Sequence, residues 1–281
     1  MTPTRGTFLG LWCLAGCALA HAQSDRIFLD DFDPPIALRI SDLDLRDPHV
    51  FVDFLGCRDI TDTPLVGFSV NGELQTQIQT DGDGNGLLDR SELLVFEPLD
   101  TLDGALGALD WLSADCTAPL AGTTCAGNGG QDVATVFSSQ TTAACLRALA
   151  GTIRPYAPAI SVASAPCFVT PANEIVVELF DTPVLLRDAR IAATWVGAPP
   201  STLVNGLLRG FLSEADANNT LVPASLPLVG GQSLASLLPG GDPPGAGNTN
   251  CAAFSDLDLV DGTRGWWFYF NFTAAKVPYS P

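Results

Sequence analysis

One short stretch of the chain places oxygen-bearing side chains at nearly alternate positions. These side chains belong to Asp81, Asp83, Asn85, Asp89 and Glu92. A hard cation such as calcium takes about 6–8 oxygen ligands at roughly 2.3–2.6 Å, and short side chains at alternate positions can turn inward to supply them. Four carboxylates held this close would repel one another without a cation between them. The spacing therefore predicts a cation site within residues 81–92.

This segment resembles the calcium loop of EF-hand proteins, since it fills each constrained place of the pattern D-x-[DN]-x-[DN]-G-x5-E. The resemblance covers the loop and not the family's surrounding fold. It implies calcium as the ion, with Gly86 permitting the sharp reversal and Leu88 tethering the loop to the core. The implied ligands are Asp81, Asp83, Asn85, the carbonyl of Leu87, Asp89 and Glu92, which closes the shell with both oxygens.

An ordinary polar turn is the alternative, because Asp, Asn and Gly also cluster in turns. Such a turn needs two or three of these residues, whereas this segment places more of them at fixed offsets. The offsets therefore favour the metal site. No second complete loop follows, because residues 214–219 have the early spacing but Ser225 stands where the closing acid belongs. We predict a polar helix end there.

The segments that flank the loop alternate apolar and polar residues. "ELQTQIQT" before it predicts a strand, and Asn71-Gly72 predicts a two-residue hairpin turn within that region. "ELLVFEPL" after the loop predicts another strand. A calcium sensor needs a pair of helices that opens on binding. A strand–loop–strand site therefore predicts a structural clip.

Period-two patterns recur over 36–55 and 173–197 and in the aromatic segment 265–274, which predicts strands. Residues 115–166 predict long loops held by disulfides. One helix is predicted over 201–218, capped by Ser201, because apolar residues there fall at i, i+3, i+4 and i+7. The expected fold is mainly β, antiparallel and sandwich-like, with one or two short helices and disulfide-stapled loops, as a single domain over 36–281.

Six cysteines follow residue 22, an even number that favours disulfides in an exported chain. Six cysteines allow 15 pairings, and spacing favours the two local ones, Cys116–Cys125 and Cys145–Cys167. Cys57 and Cys251 would then tie distant parts of the chain together. Zinc is the poorer alternative for these cysteines, since the chain has no C-x-x-C spacing and almost no histidine.

The first 22 residues predict an export signal. Arg5 precedes an apolar core, and Ala20-His21-Ala22 provides a cleavage site. Residues 23–35 then form an acidic leader, and the mature protein is secreted, periplasmic or at the cell surface. The alternative is a bacterial lipoprotein anchored at Cys17, because Leu14-Ala15-Gly16-Cys17 resembles a lipobox. No later segment has the 18 or so apolar residues that span a bilayer.

Charge and missing motifs exclude several function classes. A formal charge of −18 repels nucleic acid and anionic lipid. His49 is the only histidine after the signal, and no G-x-S-x-G, Walker or dinucleotide glycine motif is present. We expect His49 to be a turn residue rather than a catalytic base.

Two functions remain. The first is an exported, non-enzymatic calcium-binding module, with the ion held structurally and a polysaccharide or surface protein as partner. The second is a secreted glycan-active hydrolase that uses a carboxylate pair, with "GWWFYFNF" as a sugar-stacking platform. Exposed Trp266 and Trp267 beside two carboxylates would favour the hydrolase, and buried tryptophans would favour the module.

Overall fold

The structure is a computed structural model that describes residues 34–179, 182–241 and 250–281. The predicted signal peptide and all but the last two residues of the leader lie outside these ranges. The strands are β1 Ile36–Asp47, β2 Phe51–Asp53, β3 Cys57–Asp59, β4 Glu92–Glu97, β5 Leu106–Cys116, β6 Cys125–Gln140, β7 Cys167–Val169, β8 Asn173–Leu179, β9 Thr182–Gly197, β10 Pro200–Ser213, β11 Asp258–Val260, β12 Thr263–Lys276 and β13 Tyr279–Ser280. The helices are α1 Val70–Gln79, α2 Glu214–Asn219 and α3 Leu234–Leu237.

Eleven strands form one sheet in the order β1-β4-β5-β6-β7-β9-β10-β12-β11, with β8 added beside β9 and β13 beside β6. All these pairings are antiparallel except β13 with β6. β1 pairs with β4 on one side and with β12 on the other, so the main run of strands closes on itself. The prediction of a mainly antiparallel β fold with short helices is confirmed. Among the described residues, no helix is long and apolar enough to cross a membrane.

The helix predicted over 201–218 is wrong. Residues 200–213 form β10, and only 214–219 are helical, with Ser213 rather than Ser201 as the N-cap. β10 is buried on both faces, because Leu208 and Leu212 join the main core while Leu207 and Phe211 join a second cluster. Pairs of adjacent apolar residues on such a strand imitate the i, i+3, i+4 spacing of a helix.

Gly206→Ala distinguishes these two structures by the sign of its effect. A helix would gain about 1 kcal/mol from alanine. In β10, a Cβ at Gly206 would lie 2.5 Å from the carbonyl oxygen of Phe272. We therefore expect Gly206→Ala to lower the free energy of unfolding by about 1–3 kcal/mol in urea titrations. Gly127→Ala is the matched control on β6, where the nearest atom is at 3.4 Å and little change is expected. A stabilised Gly206→Ala would contradict the strand.

The strand and hairpin predicted before the acidic loop are also wrong, because residues 70–79 form α1. Its buried apolar residues, Val70, Leu74 and Ile78, are four apart, a spacing that fits both a helix face and an alternating strand. Ser69 caps the helix by accepting a hydrogen bond from the backbone N–H of Gly72 at 3.2 Å. Asn71 is buried, and its side chain binds both backbone groups of Leu45.

The middle of the chain contains more regular structure than predicted. Residues 125–140 form the long strand β6, while 117–124 and 141–166 are largely irregular. The six cysteines form the two local disulfides that spacing favours, Cys116–Cys125 and Cys145–Cys167, and the remaining pair Cys57–Cys251. Cys116–Cys125 joins adjacent partners on β5 and β6, and Cys145–Cys167 ties the irregular segment to β7.

Candidate metal centre

Three carboxylates of the acidic loop lie together between α1 and β4. One oxygen each from Asp81, Asp83 and Asp89 lies within 4.8 Å of the others. Asp81 is half-buried, and the other two side chains are exposed. Two oxygens bound to one calcium ion at about 2.3–2.6 Å can be at most about 5 Å apart. This carboxylate triad therefore has the spacing and the oxygen chemistry of a site for a hard cation.

Hydrogen bonds from the loop backbone orient these carboxylates. Asp81 accepts from the N–H groups of Asn85 at 3.0 Å and Gly86 at 2.9 Å, and Asp89 accepts from the N–H of Gly82 at 2.9 Å. Gly86 has a φ of +89°, in the left-handed region that favours glycine. The reversal assigned to Gly86 is present, and it folds the loop around its acidic side chains.

Asn85 lies next to the triad. Its amide Nδ2 donates to Asp83 at 2.9 Å, and its Oδ1 accepts from the N–H of Leu87 at 2.7 Å. The predicted amide ligand is therefore close to the carboxylates, although its oxygen is engaged within the loop in this structure.

The loop is attached to the sheet through its second half. Leu88 is 5% exposed and packs in a cluster with Leu93, Ala114 and Cys116. The N–H of Leu88 donates to the carbonyl of Cys116 at 2.8 Å, and the N–H of Ala118 donates to the carbonyl of Gly86 at 2.9 Å. Leu88 is the tether that the sequence predicted, and the Cys116–Cys125 disulfide lies beneath it.

Sequence analysis missed Arg39, which holds the two ends of the loop together. This residue of β1 is 2% exposed, and its Nη2 donates to the carbonyls of Ile78, before the loop, and of Arg90, near the end of the loop, the latter at 3.2 Å. Its Nε donates to Ser91 Oγ at 3.1 Å. Burial lowers the pKa of Arg39 to about 10. The only signal in the sequence was a basic residue within the apolar start of β1.

Glu92 is outside the carboxylate triad. It begins β4, and its Oε1 accepts hydrogen bonds from Arg90 Nε at 3.0 Å and from Arg90 Nη2. Its Oε2 is buried and has no hydrogen-bond partner among the residues that the structure describes. Its role as the closing ligand remains a prediction, and the structure gives Glu92 a different partner, which sequence reasoning did not consider.

A cleft of about 480 Å³ opens beside the loop. Its wall includes Asp83 and Asp89 of the triad, together with Arg90 and Glu92. The lining residues are Asp83, Asn85, Leu87, Leu88, Asp89, Arg90, Ser91, Glu92, Trp111, Ser113, Ala114, Asp115, Asn128 and Glu178. Most of these side chains are polar, and five of them are carboxylates.

The other features considered in the sequence lie away from this loop. Asp216 and Glu214, in the second acidic segment, form ion pairs with Arg187 at 3.2 Å and Arg264 at 3.3 Å. Of the tryptophans considered as a sugar platform, Trp266 is 0% and Trp267 9% exposed. The chain therefore does not present them as a stacking surface.

His49 is 5% exposed and lies between β1 and β2. Its Nδ1 is 2.6 Å from Asp59 Oδ2, and its ring stacks on Tyr156 at 3.7 Å between centroids. These contacts bury the imidazole in a packed position.

Comparison with known proteins finds no matching family model, no matching curated protein and no matching solved structure.

Proposed function

We propose that residues 81–92 bind calcium and that the ion stabilises an exported β domain. The observation that carries this proposal is the convergence of Asp81, Asp83 and Asp89 within 4.8 Å on a loop already folded around them. These hard oxygen donors fit calcium, and the resemblance to an EF-hand loop specifies the same ion. Calcium supplies positive charge that lets the carboxylates share one small space.

The setting supports a location outside the cytoplasm. Three disulfides are typical of proteins from oxidising compartments. The predicted signal over 1–22 agrees with that location, and cleavage near Ala22 releases the protein to the periplasm or the exterior. We prefer this processing to a lipid anchor at Cys17, because apolar residues continue past Cys17.

The surroundings of the loop favour a structural ion over a sensor. The loop is entered from α1 but leaves into β4, which is paired with β1 and β5. Sensor loops work by opening a pair of helices, whereas β4 is held on both sides. Calcium would thus join α1 to the sheet.

The domain itself is proposed to be a non-enzymatic binding or structural module, with a polysaccharide or a surface protein as partner. The buried Trp266 and Trp267 support the module over the hydrolase, since the hydrolase relied on them as a platform. The net charge of −18 argues against nucleic acid and anionic membrane as partners.

Calcium binding is tested by calorimetry on the purified protein, with melting curves in calcium and in chelator. Extracellular modules bind calcium at about 10⁻⁴–10⁻³ M, so 1 mM calcium should raise the free energy of unfolding by roughly 0.4–1.4 kcal/mol. Asp83→Asn, which removes one triad carboxylate, should weaken binding by at least about tenfold. Asp53→Asn on β2 removes the same charge outside the loop and should bind as the wild type does. Absence of binding heat at millimolar calcium would refute the site.

A further inference from the structure

We propose that Arg90 acts as a latch on Glu92 and competes with calcium for it, so that calcium loading transfers this carboxylate from the guanidinium to the ion. The inference rests on the calcium site proposed above and concerns the regulation of that site. It makes Arg90 a determinant of calcium affinity, although arginine is never a calcium ligand.

In the proposed latch, Arg90 donates to only one of the two carboxylate oxygens of Glu92. Arg90 directs both Nε and Nη2 at the same oxygen, Glu92 Oε1, while Oε2 is buried and finds no hydrogen-bond partner within the described ranges of the chain. The side chains of Arg90 and Glu92 are 7% and 11% exposed, so water screens the pair weakly. A buried carboxylate oxygen without a partner is destabilising. A calcium ion that bound both oxygens would remove that unfavourable feature.

Glu92 shares a cleft with two carboxylates of the triad. Glu92, Asp83 and Asp89 all line this cleft of about 480 Å³. The backbone of Glu92 is fixed, because it pairs with Ser113 on β5 as β4 begins. Glu92 also holds the last position of the loop, where the EF-hand resemblance implies a bidentate ligand.

Arg90 would stay in place when Glu92 leaves. Its Nη1 donates to the carbonyl of Glu178 on β8, and its backbone N–H donates to the carbonyl of Gln77 on α1 at 2.9 Å. Arg39 binds its carbonyl from below. Because the guanidinium is held independently of Glu92, the ion pair reforms when calcium leaves. Calcium must therefore break the Arg90–Glu92 ion pair each time it binds Glu92.

The test measures calcium affinity by calorimetry in variants of Arg90. Arg90→Gln removes the charged hydrogen bonds to Glu92 and should bind calcium about tenfold more tightly than the wild type. Arg90→Lys keeps the positive charge but lacks the paired donors Nε and Nη2 that bind Glu92. It should therefore also bind calcium more tightly than the wild type, by a smaller factor than Arg90→Gln. Arg58→Gln on β3 is the control for net charge and should leave the affinity unchanged. Urea titrations without calcium check that each variant is folded.

A double-mutant cycle separates the latch from simple charge repulsion. In a Glu92→Gln background the latch is absent, so adding Arg90→Gln should no longer tighten binding. An equal gain in both backgrounds, or Arg90→Lys with wild-type affinity, would overturn the latch and leave the calcium site standing. Failure of both proteins to bind calcium would overturn the site and the latch together.

Discussion

The double variant Cys57→Ala/Cys251→Ala is expected to lose about 3–5 kcal/mol of unfolding free energy. The two cysteines are 194 positions apart, so their bridge restricts most of the unfolded chain. In the chain-entropy description, the stabilisation grows with the length of the closed loop and reaches about 5 kcal/mol at this size. Urea titrations of the oxidised wild type and the variant would measure the difference.

Because neither cysteine is fully buried, this disulfide is a clear test of how far a crosslink restricts the unfolded chain. Cys57 is exposed and Cys251 half-buried, so alanine removes little packing at either position. Cys57→Ala alone should lose about as much as the double variant, because either change removes the whole bridge. A loss below about 1 kcal/mol in both variants would show that the unfolded chain is already restricted by other contacts.

Asp47→Asn is expected to stabilise the protein at pH 8 but not at pH 4. Asp47 is 1% exposed, and burial together with the nearby Asp256 and Asp258 carboxylates raises its pKa to about 7. The backbone N–H of Arg154, 2.8 Å from Asp47 Oδ2, and His49 oppose this rise only in part. At pH values between the unfolded and the folded pKa, the folded protein therefore keeps a proton on Asp47 that the unfolded chain has released.

The direction of the pH dependence follows from that proton. An unfolded aspartate has a pKa of about 3.9, so between pH 4 and 7 the folded state binds more protons, and stability falls as pH rises through 7. Asparagine carries no charge and avoids this loss, which should be worth on the order of 2–4 kcal/mol at pH 8. Urea titrations at pH 4, 6 and 8 measure it, with the exposed Asp103→Asn as control. Parallel curves for wild type and Asp47→Asn would contradict the raised pKa.

Local spacing was enough to predict several features. The favoured disulfides Cys116–Cys125 and Cys145–Cys167 close short segments, and the remaining two cysteines then had one partner each. The strand after the loop, the turn at Gly86 and the buried tether at Leu88 also follow from short-range residue order. The three aspartates converge because one short loop carries all of them.

The wrong assignments occurred where a spacing fits two structures. Leu74 and Ile78 are four residues apart, which suits a helix face as well as a strand face. Leu207, Leu208, Phe211 and Leu212 suited a helix until the structure showed apolar clusters on both faces of β10. Neither ambiguity can be resolved from the segment alone, because burial on one face or two depends on neighbouring strands from distant parts of the chain.

Residue order alone predicted the mainly β class and favoured the two local disulfides, and it places the acidic side chains within one loop. The groups that contact those side chains follow from the tertiary structure. Arg39 on β1 lies beneath the loop ends, and Glu92 faces Arg90 instead of the aspartates. These contacts depend on how β1, α1, β4 and β8 come together, and burial then sets the strength of each charge interaction. The order of residues in a loop therefore specifies which side chains can bind an ion. The surrounding fold determines which other groups those side chains contact.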